Sequence, residues 1–146
     1  MKKLFVILLI IFIVAIAPLM IRISEYKIQK GEIQEFNLQF EKYKDKTIQG
    51  IEVASLINNA VNNNEQNEII KNEKGIYQED DKYCMRIEII MQSVTDEKNS
   101  ITYAMEDIYA LGVDRFVKNF NLLEFDCVDI TYNSKGRINK LVFSLN

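Results

Sequence analysis

The longest apolar run of the chain lies at its N-terminus. Residues 4–21 read LFVILLIIFIVAIAPLMI, which is 18 positions without a charge. As an α-helix rising 1.5 Å per residue, this run is about 27 Å long, close to the roughly 30 Å hydrocarbon core of a bilayer. The pattern therefore predicts a transmembrane signal-anchor helix over residues 1–22. Pro18 would stand in its last turn, where a missing backbone hydrogen bond costs least.

A cleaved secretory signal peptide is the alternative interpretation of this leader, since Lys2 and Lys3 precede the apolar run. The run is longer than the roughly 7–15 residues of a signal-peptide core, and Pro18 directly follows the small-x-small triplet at 15–17. We therefore expect an uncleaved anchor. The basic N-terminal flank favours a single-pass protein of the cell membrane, with a cytoplasmic N-terminus and an extracytoplasmic C-terminal domain.

A helical stripe follows the leader. Its apolar members recur at spacings of 3, 4 and 3 and are Ile33, Phe36, Phe40 and Tyr43. This spacing is typical of one face of a helix. We assign residues 23–47 to a juxtamembrane helix and residues 48–146 to an α+β domain, on which the 33–43 stripe is expected to pack. A short dimerising coiled coil is the alternative, although the stripe spans barely two heptads.

A second stripe predicts a helix after Gly50. Its apolar positions are Val53, Leu56, Ile57, Ala60 and Val61. We expect the run Asn62-Asn63-Asn64 to stop this helix, because asparagine tolerates the left-handed conformation of a C-terminal cap. A loop that contacts a sugar or an ion is the alternative interpretation of the asparagine run.

From Glu68 the period of the apolar positions changes from 3.6 to 2, and the alternation over residues 83–91 predicts a strand with one buried face. Its apolar positions are Tyr83, Met85, Ile87, Ile89 and Met91. Residues 68–71 are predicted to form a shorter partner strand. The acidic stretch 79–81 is expected to be a solvated turn, because it lacks the spaced ligands and central glycine of an EF-hand calcium loop.

The last third of the chain predicts one more helix and a hairpin. The helix is expected to run from a cap at Asn99 or Ser100 through Tyr109, and Gly112 to end or kink it before a helical continuation over 113–120. Residues 127–132 alternate in polarity, 133–136 carry turn residues, and 138–145 return as a strand. The predicted fold is therefore α+β, with two to three helices packed on an antiparallel sheet that ends in a β-hairpin.

Charge and composition narrow the possible chemistry. The formal net charge is −3, and the three charges of residues 1–22 are all basic, so the remainder carries −6 and is a poor partner for nucleic acid. The chain has no histidine, which excludes Ser-His-Asp and Cys-His catalysis and imidazole metal sites. Phosphate-loop and nucleophile-elbow motifs are also absent from the sequence. We therefore assign no catalytic, cofactor-binding or metal-ligating residue and expect no cofactor.

The two cysteines, Cys84 and Cys127, leave two interpretations open. They are unpaired thiols used as small apolar side chains or, if their strands are neighbours outside the cytoplasm, a disulfide. A zinc site is disfavoured because no CxxC or second ligand pair accompanies them. A thiolate nucleophile would need a basic activator, for which Arg86 and Lys140 are the candidates.

Several of these residues form a pattern that resembles a group of known proteins. The pattern consists of Phe36-Asn37-x-x-Phe40-Glu41-x-Tyr43, Gly50-x-x-Val53-x-x-Leu56, Asn63-Asn64, and the closing residues Tyr132, Gly136 and Ile138. It is similar to small single-pass membrane-anchored proteins of unknown function from low-GC Gram-positive (Bacillota, clostridial) bacteria. One departure is Asp45, near which those proteins often carry a glycine. The resemblance implies a fold and a location at the cell membrane, and it implies no mechanism.

Three functions are compatible with these features. The leading hypothesis is a non-catalytic accessory or protein-interaction module at the cell envelope, with the lipid bilayer and an envelope protein as partners. The alternative is a small-ligand-binding extracytoplasmic domain, which requires a concave cavity between helices and sheet with a few converging polar groups. An enzyme is the third hypothesis, and it requires a nucleophile within about 3.5 Å of a base. The sequence leaves the oligomeric state open.

Overall fold

A computed structural model describes residues 2–92 and 100–146, with the side chains of residues 2–11, 13 and 15 outside the description. Within these ranges the helices are α1 (Lys2–Glu41), α2 (Gly50–Gln66), α3 (Met105–Leu111) and α4 (Val113–Phe120). The strands are β1 (Thr47–Gln49), β2 (Arg86–Gln92), β3 (Ser100–Ala104), β4 (Glu124–Tyr132) and β5 (Ile138–Leu145). The chain divides into two units, residues 1–35 and 36–146. The α+β class predicted from the sequence is confirmed.

The predicted membrane location is contradicted by the structure. Among the described residues, no helix is both long and apolar enough to span a bilayer. Continuously described side chains of α1 begin at Ile16, and charged residues recur from Arg22 onward, so the described part contains no apolar window of spanning length. Much of the apolar segment 4–21 lies outside the described side chains. The prediction of a single-pass protein with an extracytoplasmic domain is corrected accordingly.

The five strands of the second unit form one mixed sheet in the order β1-β4-β5-β2-β3. The predicted all-antiparallel arrangement is wrong at one pairing, because β2 and β5 run parallel, with Ile87 opposite Leu141 and Ile89 opposite Phe143. The other neighbouring strands are antiparallel. Strand β5 is central, and its consecutive residues 141–143 are all buried, as a strand covered on both faces requires.

The core lies between the helices and the sheet. The apolar stripe of α2 is buried as predicted, and Phe36 and Phe40, whose ring centroids are 4.9 Å apart, pack with Tyr43 against the same cluster. The predicted packing of this part of the 33–43 stripe on the domain is therefore confirmed. Ile33 belongs to the first unit.

Five predicted element boundaries are corrected. The helix assigned to residues 23–47 ends at Glu41, and the strand predicted from residue 83 begins at Arg86. Helix α2 continues to Gln66 and so runs through the asparagine run that was expected to stop it. Residues 68–71 contribute one isolated bridge, between Lys71 and Tyr77, in place of the predicted strand. The segment expected to begin the third helix is strand β3, which pairs with β2, and α3 begins only at Met105. The β-favouring residues at 101–103 explain this change, and Asn99 lies outside the described residues.

The closing hairpin and the break at Gly112 are confirmed. In the turn between β4 and β5, the Asn133 N–H donates to the carbonyl of Arg137 at 2.8 Å, and Gly136 has a φ of +78°. Gly112 separates α3 from α4 with a φ of +95°, a left-handed conformation that glycine adopts at little cost.

Candidate functional site

A cavity of about 280 Å³ lies where α3 and α4 meet the β2–β3 end of the sheet. We call it the α3–α4 groove and define it by its lining residues: Met91, Tyr103, Ile108, Leu111, Gly112, Arg115, Phe116, Asn119 and Phe120. Most of these side chains are apolar, so the groove offers a hydrophobic surface at the end of the core.

The groove follows from the break between two short helices. Gly112 ends α3 and begins α4, and its carbonyl accepts the Arg115 N–H at 3.0 Å. Ile108 and Phe116, one from each helix, are buried. Leu111 lines the groove yet is 64% exposed, so part of the apolar surface faces solvent.

Two polar side chains enter this lining from α4. Arg115 and Asn119 are four residues apart, so they lie on one face of the helix. Both are exposed. The ion pairs of the described residues join Lys71 to Glu65, Arg86 to Glu79 and Lys140 to Glu88, and none of them includes Arg115. Its guanidinium is therefore outside the ion pairs of the described residues and is accessible from solvent.

An edge strand runs beside the groove. Strand β3 pairs with β2 on one side, and within residues 2–92 and 100–146 no strand pairs with its other side. Such an edge presents unpaired N–H and C=O groups that can template another strand. Ile101, which is 45% exposed, lies two residues before Tyr103 and so shares its face of β3. The strand edge and the apolar lining thus form one continuous surface.

A second polar feature is a buried cluster around Arg137, which is only 6% exposed. Its guanidinium carbon lies 3.4 Å from the ring centroid of Phe36. The guanidinium N–H groups donate to the Tyr83 carbonyl at 2.9 Å and to Asn63 Oδ1 at 3.1 Å. Burial lowers the pKa of Arg137, and the negative charge of Asp80 acts in the opposite direction. The cluster connects the end of α1, the end of α2 and the hairpin, so its role is structural.

The asparagine run supplies the other half of this structural network. Asn64 is fully buried, and its side chain both donates to the Met85 carbonyl and accepts the Met85 N–H, each at 2.8 Å. Asn63 donates to the Tyr83 carbonyl at 2.7 Å. The run is therefore neither the predicted helix stop nor a sugar- or ion-contacting loop. Sequence reasoning missed this role because the partners lie about twenty positions away.

The acidic stretch 79–81 forms the turn that the sequence predicts. The Asp80 carboxylate accepts the N–H groups of Lys82, Tyr83 and Cys84. Although burial acts to raise it, the pKa of Asp80 is lowered by these backbone hydrogen bonds. Within the described part of the chain, no group of three acidic or cysteine side chains is arranged to hold a metal ion.

The cysteines are buried and are not bonded to each other. Strand β5 lies between β4, which carries Cys127, and β2, which Cys84 precedes. Two strand spacings amount to about 10 Å, beyond the roughly 7 Å between Cα atoms that a disulfide spans. The disulfide interpretation is therefore wrong.

Neither thiol is activated as a nucleophile. Burial raises the pKa of Cys84, and burial together with Asp45 and Asp129 raises the pKa of Cys127 to about 11. The charge of Arg86 acts to lower the pKa of Cys84, but burial outweighs it, and Arg86 is paired with Glu79 at 2.6 Å. Lys140 is paired with Glu88 at 3.6 Å. A thiolate mechanism has no support in this arrangement.

Four hydroxyl–carboxylate pairs of the described residues meet the distance that an enzyme hypothesis requires. Three of them have exposed hydrogen bonds and are Thr47–Asp126, Thr131–Asp129 and Tyr132–Glu41. The fourth is at Tyr77, which is buried. The Tyr77 hydroxyl lies 3.3 Å from Glu65 Oε1, and Lys71 Nζ lies 4.5 Å from the centroid of the Tyr77 ring. Burial raises the pKa of Tyr77. The hydroxyl therefore stays protonated at neutral pH, and its buried position is that of a core residue.

No model of a known protein family matches the chain, and no curated protein or solved structure matches it either. The resemblance to small membrane-anchored proteins of low-GC Gram-positive bacteria stays a prediction. The groove and the strand edge are therefore the features from which a function can be inferred.

Proposed function

We propose that residues 36–146 form a non-catalytic protein-binding module, which takes an extended peptide segment of a partner along β3. The observation that carries this proposal is the unpaired edge of β3 directly beside the α3–α4 groove. A peptide that adds to such an edge gains main-chain hydrogen bonds, and its alternate side chains enter the pockets on one face.

The dimensions of the groove favour a side chain over a complete small molecule. Its volume of about 280 Å³ lies just below the roughly 300–1,000 Å³ of small-ligand sites, and Leu111 on its rim faces solvent. A single apolar side chain, from a peptide whose backbone pairs with β3, is of a suitable size to fill this volume. The opposite sheet edge, β1, is only three residues long and offers a shorter template.

A small-ligand-binding domain is the second candidate function. It is supported by the apolar walls and by the two polar groups, Arg115 and Asn119, that reach the same cavity from one helix face. Those are the features expected of a site for a small molecule with an apolar body and one polar end.

The test uses the full chain and an array of synthetic hexapeptides. Each peptide carries one phenylalanine, leucine or isoleucine in a threonine background. We expect a subset to bind, and Leu111→Arg to weaken that binding by at least about tenfold, or about 1.4 kcal/mol. Leu122→Arg is the matched control, because Leu122 is 75% exposed and does not line the groove. Absence of binding, or equal losses in both variants, would overturn the proposal.

A further inference from the structure

The geometry points to a defined class of peptide for this groove: an extended segment with a carboxylate side chain two positions from an apolar anchor. Arg115 would pair with the carboxylate, and Asn119 would donate an amide hydrogen bond to it. This inference rests on the proposed function and adds the chemistry of the partner.

The charge of the groove supports a carboxylate. Arg115 is the charged group of the lining, and it is exposed, so its guanidinium is accessible to an anionic ligand. A guanidinium presents its N–H groups as a planar fork that matches the two oxygens of a carboxylate. Asn119 lies one helical turn further along α4, where its amide can reach the same ligand group.

The charge of the domain argues against a more strongly charged ligand. With the basic leader set aside, the chain carries a formal charge of −6, so polyanions are repelled at long range. The groove lining carries one cation in a net acidic domain, which fits a singly charged carboxylate better than a phosphate group or a nucleic acid.

The spacing follows from strand geometry. Alternate residues of an extended peptide lie on the same face, about 6.6–6.8 Å apart. An anchor on the groove floor, near Ile108 and Phe116, and a carboxylate at Arg115 must share one face of the added strand. The expected pattern is therefore apolar-x-acidic or acidic-x-apolar, with a small or β-favouring residue between.

The test compares fluorescein-labelled hexapeptides in fluorescence anisotropy titrations with the full chain. One peptide pair has phenylalanine and glutamate two positions apart in a threonine background, and in its partner glutamine replaces glutamate. We expect the glutamate peptide to bind roughly two- to fivefold tighter at low salt, with the ratio falling as salt screens the pair.

Arg115→Gln should bring this ratio to one, and the ratio is read independently of any change in the affinity for the glutamine peptide. Lys118→Gln is the matched control, because Lys118 is an exposed cation of the same helix that does not line the groove. In that variant the ratio should persist. This double-mutant cycle isolates the pair from any general loss of charge.

Each outcome separates this inference from the proposed function. Equal binding of both peptides, with both still sensitive to Leu111→Arg, overturns the carboxylate selection and leaves the peptide-binding module standing. Loss of all peptide binding overturns both. A glutamate peptide with adjacent rather than alternate spacing that binds equally well overturns the strand register. If 3-phenylpropionate competes as strongly as the hexapeptide, the source of the carboxylate is a small molecule, and the peptide assignment is overturned.

Discussion

Replacing Asn64 by leucine is expected to lower the free energy of unfolding by about 2–6 kcal/mol. The Asn64 side chain is fully buried and satisfies both the N–H and the carbonyl of Met85, each at 2.8 Å. A leucine of similar size keeps the volume filled and leaves both backbone groups without a partner. A buried polar group without a partner costs about 1–3 kcal/mol, and two such groups give the stated range.

The measurement is urea-induced unfolding of the full chain, followed by far-ultraviolet circular dichroism. Asn62→Leu is the matched control, because Asn62 lies two residues earlier in the same helix and is exposed. Its effect should stay within about 0.5 kcal/mol. The amide hydrogen of Met85 should also exchange faster in Asn64→Leu than in the wild type. The reasoning would be refuted if Asn64→Leu cost less than about 1 kcal/mol, or no more than the control.

Three further predictions concern the packing and chemistry of the domain. Gly50→Ala should lower the free energy of unfolding by about 1–3 kcal/mol or more, because the added Cβ would collide with the Phe120 carbonyl oxygen. Gly31→Ala is the control: nothing lies near that position in α1, so it should not destabilise and should favour the helix by up to about 1 kcal/mol. Because the pKa of Cys127 is raised to about 11, from 9.0, its thiol should contribute stability below pH 9 that is lost towards pH 11. The thiol should also react with Ellman's reagent only when the protein unfolds. Fast labelling of the native protein would contradict a protected Cys127. Arg137→Lys should lower the free energy of unfolding by about 1–3 kcal/mol, because an ammonium cannot both stack on Phe36 and reach the two oxygens that the guanidinium binds. An unchanged urea midpoint would argue against a stabilising role of the Arg137 cluster.

The elements that were predicted correctly are those that form from residues close together in the sequence. The stripe of α2, the stacking of Phe36 and Phe40 on the domain and the β4–β5 hairpin follow from apolar spacing and turn residues. The break at Gly112 was likewise visible, because glycine is the residue that best accepts a positive φ.

Long-range pairing determined the parts that sequence patterns missed. Strand β3 is an exception: its partner β2 is near in sequence, and it was predicted as the start of a helix because Asn99 and Ser100 are typical helix caps, although residues 101–103 favour a strand. The parallel pairing of β2 with β5 depends on a return of the chain through β3, two helices and β4. Asn64 looked like a helix stop because its hydrogen-bond partner, Met85, is remote in sequence. The groove has no local signature apart from Gly112, since it is formed by residues from four elements.

The central claim, that β3 templates a bound strand, is tested most directly by amide hydrogen exchange of the full chain. The measurement compares the free protein with the protein saturated by the phenylalanine–glutamate hexapeptide. We predict slower exchange at Ser100–Ala104 and unchanged exchange at Thr47–Gln49 on the opposite sheet edge. Unchanged exchange along β3 under saturation, or slowing confined to another part of the domain, would contradict the account.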